Sequence, residues 1–262
     1  MSSAVSRPTR ADRRRAARLR RRGLDGDLFD VRRARLLLSR DPVILECGAN
    51  SGTDTLVFLE QWPTARVTCF EPEPRAIEQW KETVTSPRAT LVEVALAATD
   101  GTATFHRSSG RPPSAPDDLQ EPWNQSGSIR RPTGHLEVWP WVRFEETITV
   151  ETRSLDSWAA EHGVGDVDLI WADVQGAEGD LVQGGLRTLD RTRYLYIETT
   201  PATEWYEGEV TTDELLAMLP GWRVLAHFPD NVLIENGRFR RFGSRRIGAR
   251  FPRRSRRAAA GA

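Results

Sequence analysis

An α/β fold built on a mostly parallel sheet is what this 262-residue sequence predicts, on three observations. Short apolar runs of strand length recur at residues 43–47, 66–70, 167–171 and 194–197. Segments whose apolar residues repeat at helical spacing lie between them. The first run also turns through two glycines, Gly48 and Gly52, directly into an amphipathic stretch. That succession is the strand, ligand loop and helix of a Rossmann-like domain.

In the first run Val43, Ile44, Leu45 and Cys47 surround a single acid, Glu46, and Pro42 precedes them, as suits a buried parallel strand. Leu56, Val57 and Leu59 then share a helical face. Because Gly48 and Gly52 lack a Cβ, the turn between them is expected to touch a flat, elongated cofactor at the carboxyl edge of the sheet. The second strand, 66–70, is followed by Glu71-Pro72-Glu73-Pro74 and by a helix with Ala76, Ile77 and Trp80 on one face. A carboxylate ending the second strand is where a ribose diol is held in such folds, since two hydroxyl donors match two carboxylate oxygens. Glu71 is the expected ribose ligand, with Glu73 as the alternative.

A third strand is expected at 90–96, and Asp100-Gly101 reads as a hairpin turn into a strand at 102–106. Residues 107–146 are rich in Pro, Ser and Gly and carry Trp123, Trp139 and Trp141. An insertion of this length without structure of its own reads as a lid. An extended pattern resumes at 148–150, and Ser154-Leu155-Asp156-Ser157-Trp158 opens a helix. The strand at 167–171 is closed by Asp173 and followed by a helix over 176–189, and the strand at 194–197 ends in Glu198. Leu215, Leu216 and Leu219 mark a last helix before an antiparallel pair at 222–227 and 231–235. Ahead of all this, Leu28, Val31 and residues 36–38 suggest a helix over 25–40 that covers the sheet edge. These elements make one domain, 25–237, between a basic tail at 1–24 and an Arg-rich tail at 238–262.

Net charge is zero, but unevenly spread. Residues 1–40 and 238–262 hold 23 of the 37 Lys and Arg and four of the 37 acids, leaving 14 basic against 33 acidic residues in 41–237. An acidic body argues against a nucleic-acid partner across the main face, although basic arms could still reach one. Both cysteines fall at the ends of expected core strands, which suits buried free thiols in a reducing compartment. No run approaches the ~18 apolar residues of a membrane span, so a soluble, cytoplasmic protein is expected.

Charge also selects the ligand. The loop reads Gly-x-x-x-Gly with an acid two residues before it, instead of the Gly-x-Gly-x-x-Gly of dinucleotide sites. A carboxylate about 5 Å from a ligand charge, at an effective dielectric of about 20, is worth roughly 3 kcal/mol. Glu46 would therefore repel a pyrophosphate and attract the ammonium and sulfonium of S-adenosylmethionine.

The blocks Leu45-Glu46-Cys47-Gly48-Ala49-Asn50-Ser51-Gly52, Phe70-Glu71-Pro72, Ala95-Leu96 and Ser154-Leu155-Asp156 occur in this order. Together with Asp173-Val174-Gln175-Gly176-Ala177-Glu178, they resemble the FkbM family of S-adenosylmethionine-dependent methyltransferases. The resemblance spans about residues 42–236. It implies a class I methyltransferase fold, with a seven-stranded, mostly parallel sheet, helices on both faces and a terminal antiparallel strand. The activity it implies is O-methylation of a hydroxyl on a sugar, glycan or natural product. By position Glu46, Gly48, Asn50 and Gly52 match the cofactor loop, Glu71 the ribose acid, and Asp173, Glu178 and Glu198 the later acids. Gln175 stands where the family usually has glutamate, and Trp171 where a lysine is common.

A hydroxyl must lose its proton as it is methylated, so a base is needed. Asp173, with Glu198 second, is expected to be that base, and His135 in the insertion is an alternative. His106, His162 and His227 suit structural roles. Gln175, Glu178, Trp139 and Trp141 are candidate substrate contacts, although the tryptophans could equally anchor the insertion. No metal site is assigned, and Mg²⁺ on Asp173 and Glu198 is a lesser reading. Three rivals remain: an NAD-dependent oxidoreductase, a nucleic-acid methyltransferase using the basic ends, and a non-catalytic binding module.

Overall fold

The computed structural model describes residues 37–113, 123–199, 204–228 and 230–240. The basic tail 1–24, most of the helix expected at 25–40, the middle of the insertion and the tail beyond 240 lie outside these. Among the described residues no helix is long and apolar enough to cross a membrane.

Seven strands form the main sheet: β1 (Val43–Cys47), β2 (Arg66–Phe70), β3 (Ala89–Val92), β7 (Val167–Ala172), β8 (Thr192–Glu198), β9 (Trp222–His227) and β10 (Asn231–Asn236). Their order is β3-β2-β1-β7-β8-β10-β9, with β10 antiparallel to both neighbours. The chain leaves β1 in one direction through β2 and β3 and returns on its other side at β7. That reversal opens a crevice above the carboxyl ends of β1 and β7, where α/β sheets bind ligands. This is the class I methyltransferase architecture.

The period-2 alternation of the strands divides the core. Leu45 and Cys47 of β1 pack with Ile170, Ala172, Leu195 and Ile197 beneath α4 (Leu155–Glu161), α5 (Glu178–Gly184) and α6 (Leu186–Asp190). Ile44 faces the opposite side with Leu169, Trp171 and Tyr196 beneath α1 (Thr53–Gln61) and α2 (Pro74–Thr83). Trp171, at the position where a lysine is common, stacks on Tyr196 at 4.1 Å and meets Phe58 edge-on, so it belongs to this second core layer. Both cysteines are buried and free. The last helix is α7 (Thr212–Met218), which opens with a capping box between Thr211 and Glu214.

Several local expectations are corrected. The third strand divides: β3 stays in the main sheet, and β4 (Ala95–Leu96) joins a second sheet of order β4-β6-β5. Asp100-Gly101 makes no hairpin, because β4 and β5 (Gly101–Gly110) lie on opposite sides of β6 (Val142–Arg153). The Asp100 carboxylate instead accepts the backbone N–H of Ser154. The insertion is shorter than its composition suggested, since residues 107–110 and 142–146 belong to the paired β5 and β6. Between them, α3 (His135–Val138) is a single turn. The helix expected over 176–189 is two, broken at Gly185. Gly184 passes so near β4 that a Cβ there would stand 2.1 Å from the Ala97 carbonyl oxygen.

Candidate active site

A cavity of about 300 Å³ opens at the reversal point. Its floor is the turn after β1, its sides are the residues after β2 and β7, and its roof comes from residues 124–129 of the insertion. The turn is tied down by its backbone: Gly48 and Ala49 both donate to the Phe70 carbonyl at 3.0 Å. Asn50 takes a left-handed φ of 43°. Its N–H then donates to Glu71 Oε2 at 2.8 Å, while Glu73 N–H donates to Glu71 Oε1 at 2.9 Å. Glu71 therefore lies on the cavity wall with both oxygens anchored, and each oxygen keeps a further lone pair. Burial pushes its pKa up to about 7 despite the two N–H donors.

Three residues of the expected cofactor loop also serve the fold, and of these Gly48 and Glu46 still line the cavity. Glu46 contributes to the cavity floor, but strand alternation turns its carboxyl toward the α1 and α2 layer. There it accepts from Thr55 Oγ1 at 2.5 Å and from Cys69 Sγ at 3.2 Å. Only 1% of Glu46 is exposed, and burial pushes its pKa up to about 8, so at neutral pH it sits largely as a neutral acid. Gly48 is required by the protein itself: at φ 84° a Cβ would lie 1.8 Å from the Asp173 carbonyl oxygen. Gly52, at φ 85°, packs against Val84 and Trp80 and does not line the cavity.

Opposite this wall, Asp173 opens onto the cavity and is exposed at the end of β7. The amide of Gln175, whose φ is 53°, bridges it to Glu198, with Nε2 donating to Asp173 Oδ1 at 2.6 Å and to Glu198 Oε2 at 3.0 Å. Burial and the neighbouring Asp173 carboxylate raise the pKa of Glu198 well above the ordinary range. Glu178 is 2% exposed, accepts the Val174 N–H and is pushed up to about 8 by burial. It lies behind the wall and holds the turn; it does not reach the cavity. The fold thus brings Asp173, Gln175 and Glu198 together, with Gln175 as the link, although Glu198 does not line the cavity. Among the described residues no group of three or more His, Cys, Asp or Glu is arranged to hold a metal ion.

The insertion folds as a strap. Ser128 pairs with His106 of β5, Asn124 accepts from Asn50 Nδ2 through its carbonyl, and Arg130 forms an ion pair with Asp180 of α5. His135 is a correction: it is 3% exposed, lies off the cavity wall and packs against Trp139, Phe144 and Tyr206. Desolvation lowers its pKa to about 4, which makes it a neutral packing residue. For Trp139 and Trp141 the packing matches the second of the two readings, the anchor. Trp139 meets Trp205 at 4.8 Å and Trp141 meets Trp123 at 5.1 Å, both edge-on, and neither lines the cavity. They fasten the strap.

Sequence reasoning missed Tyr206, which is 1% exposed and reaches both Gln175 and the strap. It also missed Phe105, Asn124, Gln125, Gly127 and Ile129 on the cavity wall. The adjacent Trp205-Tyr206 pair in an otherwise polar stretch was the available signal.

The family model described as Methyltransferase FkbM domain matches residues 46–227. The 2-O-methyltransferase NoeI of Sinorhizobium fredii is 44% identical over 198 residues, which cover 75% of this chain and 79% of that protein. Among solved structures, a TehB-like SAM-dependent methyltransferase from Corynebacterium glutamicum aligns at 13% identity over 86% of this chain and 98% of that one, with a TM-score of 0.42. An rRNA methylase from Streptococcus thermophilus aligns at 11% identity over 89% and 99%, with a TM-score of 0.38.

Proposed function

The chain belongs to the FkbM family of S-adenosylmethionine-dependent methyltransferases, and from that premise we propose that it methylates a hydroxyl of a neutral sugar or sugar-like natural product, with Asp173 accepting the proton. The carrying observation is the charge of the cavity. Its described lining includes the carboxyls of Asp54, Glu71 and Asp173, with the buried and largely neutral Glu46 beneath them, and has no Lys, Arg or His. A carboxylate near 5 Å repels a like charge by roughly 3 kcal/mol at an effective dielectric of about 20, so a phosphate- or carboxylate-bearing acceptor is opposed. Hydroxyls are not, and the amides of Asn124 and Gln125 supply neutral partners for them. The name of the NoeI relative, a 2-O-methyltransferase, supports an oxygen as the methylated atom.

The residues present fit S-adenosylmethionine. Glu71 keeps lone pairs for two ribose hydroxyls, Phe70, Val94 and Leu96 offer an apolar wall for the adenine, and the acidic lining suits the ligand's positive groups. When bound, the cofactor supplies an electrophilic methyl group whose loss leaves a neutral thioether. The chain's own part is to orient and to take a proton. Asp173 holds the acceptor hydroxyl and receives its proton as the oxygen gains the methyl. Glu198, whose proton is held more tightly than usual by burial and by the neighbouring Asp173, hydrogen-bonds Asp173 and limits the negative charge gathered there.

The test incubates the purified chain with methyl-labelled S-adenosylmethionine and either neutral oligosaccharides or nucleoside-diphosphate sugars. Label is expected in the neutral products and is expected to fall about 100-fold or more in Asp173→Asn, with cofactor binding retained. Full turnover by that variant would remove Asp173 as base. Label confined to the anionic sugars would overturn the acceptor class.

A further inference from the structure

Tyr206 lies outside the cavity lining, yet its hydroxyl is placed where the acid wall and the strap meet. Its oxygen is 3.0 Å from Gln175 Oε1 and 2.9 Å from the carbonyl oxygen of Ser126, so one hydroxyl hydrogen faces two carbonyl acceptors. The position is built. Gly176 lets the ring pass, since a Cβ there would stand 2.5 Å from that of Tyr206. Glu209 Oε2 accepts the N–H groups of Trp205 and Tyr206, and Pro132 of the strap forms a bridge to Tyr206.

The groups around Asp173 explain what such a hydroxyl does. From the end of β2 comes Glu71, from α5 Glu178, from β8 Tyr196 and Glu198, and from the following loop Tyr206, with Glu209 acting on Glu178, Glu198 and Tyr206. All of these are acids or phenols. The Gln175 amide places its two hydrogens between Asp173 and Glu198. Turned by 180°, the same amide would set its carbonyl oxygen against both carboxyls. Donation from Tyr206 to Gln175 Oε1 favours the first orientation, and the shared contact with Ser126 exists with the strap seated.

We propose that Tyr206 is a positioning residue for the methyl transfer: through Gln175 it holds Asp173 in place, and through Ser126 it ties that hold to the seating of the strap. The inference rests on the reading of Asp173 as proton acceptor.

Its test does not depend on an acceptor. In full-length protein with S-adenosylhomocysteine, the hydrogen exchange of the Gln175 side-chain amide is followed by NMR in parent and Tyr206→Phe, which keeps the ring. Exchange is expected to speed up about five- to tenfold, as loss of one hydrogen bond implies, while the backbone amides of β7 and β8 keep their rates. Unchanged amide exchange, or an equal rise in the backbone, would overturn the proposal. A second measurement uses the parent alone: the Tyr206 hydroxyl proton is expected as a slowly exchanging resonance with cross-relaxation to the Gln175 side chain, and its absence overturns the proposal as well. If Asp173→Asn keeps full turnover while Tyr206→Phe still frees the amide, the proton-acceptor reading fails and the link between Tyr206 and Gln175 stands.

Discussion

The wall formed by residues 46–96 and the wall formed by residues 124–129 and 173–177, backed by Glu178, Glu198 and residues 204–209, face each other across one cavity, but they are assembled differently. The first is made by neighbours in sequence. Two strands side by side in the sheet and the turn after β1 bring Glu71 onto Asn50 N–H, and the hydrogen bonds that do this span about twenty positions. The second gathers four separate segments: Gln175 meets Glu198 across a similar 23 positions, but Tyr206 meets Ser126 across 80. The difference teaches that the first wall is set by the turn after β1, whereas the second is completed by residues 124–129 of the strap.

The largest effect is expected where the two walls touch. Gly48→Ala forces a Cβ to within 1.8 Å of the Asp173 carbonyl at a backbone φ that disfavours side chains. A loss of about 3 kcal/mol or more in denaturant unfolding is expected, disturbing both walls together. A stable, active variant would show that the walls are separable at this point.

Next comes a change confined to the first wall. Glu71→Gln is expected to weaken S-adenosylmethionine binding about tenfold in titration calorimetry, since a charged acceptor becomes a neutral one. In the parent, Glu71 takes up its proton near pH 7, so affinity should decline as the pH is lowered from 8 to 6. The variant should lose that decline. The same slope in both proteins would assign it to another group.

The smallest effect concerns the strap. Trp139→Ala removes an edge-on contact with Trp205 and one with His135, and is expected to lower stability by about 1–2 kcal/mol with the acceptor's KM unchanged. A raised KM at an unchanged melting temperature would put the indole in the substrate's path.

How far each wall could be read from sequence follows the same division. The place of Glu71 on the cavity was legible as one of two candidates, since a carboxylate after the second strand lies at the crevice, while Glu73 turned out to cap the next helix. Glu46 was misread because its position in the chain is that of a cofactor acid, while the alternation of β1 sends its side chain to Thr55 and Cys69. Asp173, Gln175 and Glu198 were legible as candidates, each lying at or just beyond a strand end, but not as a hydrogen-bonded set. His135, Trp139 and Trp141 looked like site residues because they sit in an insertion, but the buried His135 and the half-buried tryptophans pack against aromatic rings off the cavity.

By itself the sequence determined the sheet, the crevice and the acid that ends β2, because strand periodicity and the sharp turn after β1 act over a few residues and leave the chain little choice. The tertiary structure alone decided that a glutamine would bridge two carboxyls, that Tyr206 would orient it, and that the strap would close the same hydrogen-bonded chain. These contacts join segments up to 80 positions apart, and no local propensity encodes which side chain a distant loop will deliver.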